Sequence, residues 1–147
     1  MAAKVPAERA RYLDALGCFR NNVLIGKSLA YVLSGPLRPQ ELLTIPRNMA
    51  ENEGLKDYVW RWFKQNYDAI ASRVPPFYVA SLPHAADCCT ASRIEDARSF
   101  FLVWNKPPPG TEEELAKVTD SIRDCVELRH REGPAAARIL QQLAVAP

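Results

Sequence analysis

The chain has 147 residues, 48% of them hydrophobic and 24% charged, with a formal net charge of +2. That is enough apolar material for one globular domain with a sizeable core. So small a charge, without any basic run, argues against nucleic acid or an anionic membrane as partner.

The opening MAAKVPAERAR lacks the apolar core of a signal peptide. The longest apolar-leaning stretch, 23–33, is broken by Lys27 and too short to span a bilayer. The reading is a soluble, cytoplasmic protein. A first helix is predicted over 6–16, with Pro6 in its first turn and Ala10, Leu13 and Leu16 or Tyr12 inward. Gly17 weakens its end, and Arg20-Asn21-Asn22 offers a turn with an N-cap. A second helix follows over 23–34, with Ile25, Leu29, Val32 and Leu33 inward. Gly35-Pro36 stops it, the glycine as a left-handed cap.

Residues 39–52 read as a third helix kinked or split at Pro46. The most informative stretch is next: YVWRWFKQNYDAIASR, 58–73, places Val59, Trp62, Phe63, Tyr67 and Ile70 at helical spacing. Trp62 is read as buried and Trp60 as a flank residue. Aromatics of this size bury ~150–250 Å² each, so other helices are expected to pack around this one. Pro75-Pro76 closes it.

A moderate helix over 77–89 carries Val79, Leu82, Ala86 and Cys89, with Pro83 as a disturbance. Ser92-Arg93-Ile94-Glu95 has the form of a capping box. Ile94, Ala97, Phe100, Phe101 and Trp104 make the next stripe. Lys106 and Pro107–Pro109 form a stiff loop ending at Gly110. Thr111 to Glu114 reads as a second capping box. Leu115, Val118, Ile122, Cys125 and Val126 lead toward Arg131, and Gly133-Pro134 marks a stop and restart. A last helix, 135–143, is expected to bury Ile139, Leu140 and Leu143.

The predicted fold is therefore all-α, a single domain of about eight helices. They group as antiparallel pairs over 1–35, 36–74, 75–110 and 111–147. Pairs of this length stack into an α-solenoid, a HEAT-like right-handed superhelix; a compact orthogonal bundle is the alternative.

The chemistry is sparse. Cys18, Cys88, Cys89 and Cys125 show no C-x-x-C spacing. Cys88 and Cys89, as helix neighbours about 100° apart, are poorly placed to share a bridge or a metal. All four read as free, mostly buried thiols. His84 and His130 lie in no H-E-x-x-H, with His130 a solvated helix-end residue and His84 a candidate for partial burial. No nucleophile elbow or phosphate loop is present. No catalytic, cofactor-binding or metal-ligating residue is assigned.

Several blocks resemble one family. Trp60, Trp62, Phe63, Asn66, Tyr67, Asp68, Ile70 and Arg73 resemble a helix of the form W-x-F-(x)-x-x-N-W/Y-D-x-L/I-x-x-R. It belongs to the C-terminal helical domain of zinc aminopeptidases related to aminopeptidase N and the puromycin-sensitive enzyme. Arg9 to Gly17, Leu33 to Glu41, Arg93 to Phe101, and Asp120 through Leu140 are similar to further blocks of that domain, in the same order. Asn48-Met49-Ala50-Glu51-Asn52 is superficially similar to the family's G-x-M-E-N. It lacks the glycine, has an extra residue and stands in the wrong place.

The resemblance implies a non-catalytic C-terminal domain that caps the active-site cavity and helps select peptides. Zinc and its ligands then lie in a catalytic domain of the same polypeptide, which is the expected partner together with the peptide substrate. The chain alone is expected to be inactive and to bind no cofactor. The first hairpin, around Leu13, Leu16, Val23, Leu24 and Ile25, is expected to be left bare, and the last pair closed. Two other functions compete. One is a free-standing helical scaffold for another protein. The other is an enzyme using Cys88 or Cys89 as nucleophile, for which no base lies near in sequence.

Overall fold

The computed structural model describes residues 5–145, leaving out the side chains of Trp104 and Val145. Among the described residues there are eight α-helices and no strand. They form two compact units, one running to Val79 and one starting at Ala80.

The first unit begins with α1 (Pro6–Gly17) and α2 (Asn22–Ser34). Within the turn expected to supply an N-cap, Asn21 is the residue that caps α2, its Oδ1 accepting from the Val23 and Leu24 amides at 2.9 and 3.3 Å. A short 3₁₀ turn, Pro39–Glu41, leads to α3 (Thr44–Ala50). Pro46 does not split that helix, because it sits in the first turn, where a backbone N–H has no helical acceptor to lose. The end of α2 differs from expectation. Gly35 is extended, at φ −74°, and not left-handed. A side chain is excluded there by crowding: a Cβ would lie 2.5 Å from the Tyr31 carbonyl oxygen and 2.7 Å from the Tyr31 ring. Gly17 has a similar reason, since a Cβ would meet Asn48 Cβ at 2.6 Å where α1 crosses α3.

The aromatic segment forms α4 (Lys56–Gln65) and α5 (Tyr67–Ala71), separated at Asn66. The Asn66 backbone leaves the helical region, and its Nδ2 donates to the Trp62 carbonyl at 2.8 Å. The same carbonyl also keeps its bond from the Asn66 backbone N–H at 3.1 Å, so the side chain caps the last turn of α4 locally. Val59, Trp60, Phe63, Tyr67 and Ile70 are buried. Trp60 is only 2% exposed and stacks on Phe63 at 5.7 Å, with Phe63 edge-on to Tyr67 at 6.0 Å. Trp62 is half-buried and packs beside Val59 on the cluster of Leu13, Ile25, Leu29, Val32, Leu42, Ile45 and Met49. The sequence-based ranking of the two tryptophans is thus reversed.

The bare first hairpin is corrected as well. Leu13 and Ile25 are core residues of this unit, Leu16 is half-buried, and only Val23 and Leu24 are exposed. The unit ends with the four-residue α6 (Pro76–Val79).

The second unit opens on a 3₁₀ helix, Leu82–Ala86, in place of the longer helix expected over 77–89. Pro83 fits at the start of so short an element. Then come α7 (Ser92–Arg98), a π-helical stretch Ser99–Trp104, and α8 (Thr111–Val145). Neither expected capping box forms. Ser92 is already helical and caps nothing. Thr111 turns its hydroxyl to donate to the Pro108 carbonyl at 2.8 Å. Arg93, Ala97 and Phe101 are buried; Trp104 of the same stripe lies outside the described side chains.

The α8 helix runs straight through Gly133-Pro134. Proline removes one backbone bond, but this half of the helix is exposed on nearly every side, so water can satisfy the freed carbonyl. Leu115, Val118 and Ile122 are buried, whereas Leu128, Ile139, Leu140 and Leu143 are exposed. The expected closed last pair is not formed, because one helix cannot fold back on itself.

Candidate functional site

The residues that carry sequence motifs are tied into the packing of their own units. Arg9 on α1 forks onto Glu41, with Nε to Oε1 at 2.8 Å and Nη2 to Oε2 at 2.9 Å. Its Nη2 also donates to the Pro36 carbonyl at 2.8 Å. The Glu41 carboxylate accepts a further bond from the Arg38 amide at 2.8 Å. One carboxylate therefore joins α1 to the junction after α2, in the bidentate geometry that arginine favours.

Arg73 does the corresponding work at the end of α2. Its Nη1 donates to the Val32 and Leu33 carbonyls, the latter at 2.8 Å, and its Nη2 to Gly35 at 2.9 Å and Leu37 at 3.4 Å. A helix C-terminus leaves carbonyls without helical donors, and this guanidinium supplies them from 36–41 residues away in sequence.

The stretch 48–52 is structural in the same sense. Asn48 donates to the Asp14 carboxylate at 2.8 Å, Met49 is fully buried, and Asn52 accepts from the Gly54 amide at 3.1 Å.

The Arg9 guanidinium first, with help from the Arg38 amide, holds the Glu41 carboxyl below its ordinary value against burial, which pushes it up. A carboxylate depressed in the folded state contributes stability that is complete above the ordinary carboxylate range. That contribution is lost as the pH falls through the folded value. Glu41→Gln is therefore expected to lower stability at neutral pH and to flatten its acid limb, measured as urea midpoints across an acid series. Unchanged acid limbs for wild type and variant would remove Glu41 from this role.

In the second unit, His84 and α8 meet in an exposed cluster. His84 Nε2 lies 2.8 Å from Glu114 Oε2, and Lys117 Nζ lies 2.6 Å from Glu114 Oε1. Lys117 first and His84 second hold the Glu114 carboxyl below its usual range. The partial burial foreseen for His84 is not found; His84 and His130 are both exposed.

The cysteines are the largest departure from the sequence reading. Cys89 and Cys125 form a disulfide, with Cα atoms 5.2 Å apart, and only Cys18 and Cys88 are free. The bridge joins Cys89 to Cys125 and not to its neighbour Cys88, so it is the reading of all four cysteines as free thiols that is overturned; residues 87–90 are also not helical. The partner lies 36 residues away, and nothing in the local spacing signals it. Among the described residues no group of three or more His, Cys, Asp or Glu side chains could hold a metal ion. None of them forms a helix long and apolar enough to cross a membrane.

The fold and these ties define an all-helical domain whose recognisable motifs serve its own architecture. The chain matches the ERAP1-like C-terminal domain over residues 1–124, and it belongs to that family. It is similar to two proteins of Saccharomyces cerevisiae. It is 23% identical to "Aminopeptidase 2, mitochondrial" and 24% identical to "Alanine/arginine aminopeptidase", over 140 residues and 92% of the chain in each case. The chain spans only 14% and 16% of the length of these relatives. No solved structure matches it.

Proposed function

We propose that this chain is the non-catalytic, HEAT-like C-terminal domain of a cytoplasmic zinc aminopeptidase. In this reading it closes the substrate cavity of a catalytic domain in the same polypeptide and helps select the peptides admitted. The observation that carries the reading is the family match over residues 1–124, together with relatives whose names are those of aminopeptidases. The motif residues Arg9, Glu41 and Arg73 support it, because all three hold helices together and none is free to do chemistry.

Zinc and its ligands belong to the catalytic domain in this proposal. The expected result for the purified 147-residue chain is no bound zinc by elemental analysis and no hydrolysis of an aminoacyl reporter substrate. Its reading frame should carry an H-E-x-x-H upstream. Stoichiometric zinc, or hydrolysis that survives repurification, would sink the proposal. A frame without that motif would favour a free-standing scaffold.

A further inference from the structure

We infer that residues 82–91 form a redox-gated strap over a buried thiol, Cys88, with the Cys89–Cys125 disulfide as its latch. Three ties run from this segment to successive positions along α8. His84 meets Glu114 at 2.8 Å, Ser121 donates to Asp87 at 3.0 Å, and Cys89 is bonded to Cys125. The first two are polar contacts at the surface, between exposed side chains and, for Glu114, a half-buried one, and such contacts hold weakly. The segment has little backbone structure of its own beyond one 3₁₀ helix. Its apolar underside consists of Leu82, Pro83, Ala86 and Cys88. The covalent latch is thus the strongest single tie, and it sits where α8 passes from buried at Ile122 to exposed at Leu128.

The latch is also open to attack from one side. Cys125 is half-exposed, whereas Cys89 is only 7% exposed. A dithiol reductant attacks the Cys125 sulfur, forms a mixed disulfide there and expels Cys89 as a thiolate, which takes up a proton. The second thiol of the reductant then displaces Cys125, which is protonated in turn. Two electrons and two protons pass to the protein, and the reductant leaves as its own disulfide. A cytoplasm poised by glutathione and thioredoxin-type dithiols favours this direction, and a thiol oxidant reverses it. Opening uncovers Cys88, which is 6% exposed in the closed form with its Sγ 3.8 Å from the Thr90 carbonyl. Cys88 thereby becomes a site for thiol modification that the latch controls.

Cys18 is exposed in the other unit and serves as the internal reference. The test is alkylation of the 147-residue chain followed by peptide mass spectrometry. Without reductant, denatured protein is expected to label at Cys18 and Cys88 alone, and native protein at Cys18 alone. After treatment with dithiothreitol, native Cys88 is expected to label at least tenfold faster while the Cys18 rate stays within twofold. Cys125→Ser should label Cys88 at the fast rate without reductant. Amide exchange over 22–34 should not change on reduction. Labelling of all four cysteines without reductant would overturn the latch. An unchanged Cys88 rate after reduction, or loss of protection over 22–34, would overturn the local strap; both arms use wild-type protein and survive a variant that fails to fold.

Discussion

Replacing Trp60 with alanine is expected to destabilise the chain by about 3–5 kcal/mol, the usual cost of removing a large aromatic from a core. Trp60 is 2% exposed and stacks on Phe63, so the vacated space is walled by a ring that loses its partner. Lys64 Nζ, 5.2 Å from the Trp60 ring centre, loses a cation–π contact as well. Trp62→Ala is expected to cost clearly less, since Trp62 lies at the edge of its cluster and is half-buried. Urea denaturation of the two variants checks the order. Equal losses, or a larger loss for Trp62, would contradict the assignment of the buried face.

Arg73→Met is expected to cost about 2–4 kcal/mol. The substitution keeps the apolar stem and leaves partly buried carbonyls at the end of α2 without donors, at ~1–3 kcal/mol for each group left unmade. Arg73→Lys should recover less than half of that, because an ammonium cannot fork across Leu33, Gly35 and Leu37 as the guanidinium does. Calorimetric melting of the three proteins measures this. Full recovery by lysine would show that charge, and not the shape of the donor array, matters at this helix end.

The tryptophan reversal shows how legible the sequence was. At about 100° per residue, the directions of Val59, Phe63, Tyr67 and Ile70 average to a point about 65° from Trp60 and about 95° from Trp62. The periodicity therefore favours Trp60, and the error lies in counting Trp62 into the stripe while leaving Trp60 on its flank. Helix starts at Pro6 and Asn21 were readable because their signals are local. The same holds for the closure of the aromatic segment before Pro75-Pro76.

Elsewhere the same residue types carried different physics. Gly35 is fixed by crowding against Tyr31, which no local rule encodes. Gly133-Pro134 fails to stop α8 because exposure makes a lost backbone bond cheap. The matching total of eight helices conceals this: the aromatic helix became two, and the last two became one. Among the ties, Arg9, Glu41 and Arg73 were visible as parts of resembling blocks, though not as a bonded set. Cys89–Cys125 was not visible at all, since four cysteines in a chain fix no pairing.

The central claim is that this chain works as one domain of a larger aminopeptidase. Antibody raised against the 147-residue chain and applied to a non-reducing native extract of the source cells tests that most directly. The account predicts a single polypeptide several times the 16.5 kDa of this chain, with aminopeptidase activity that precipitates with it and is lost on zinc chelation. A band at the mass of the chain itself, with no peptidase activity in the precipitate, would contradict it.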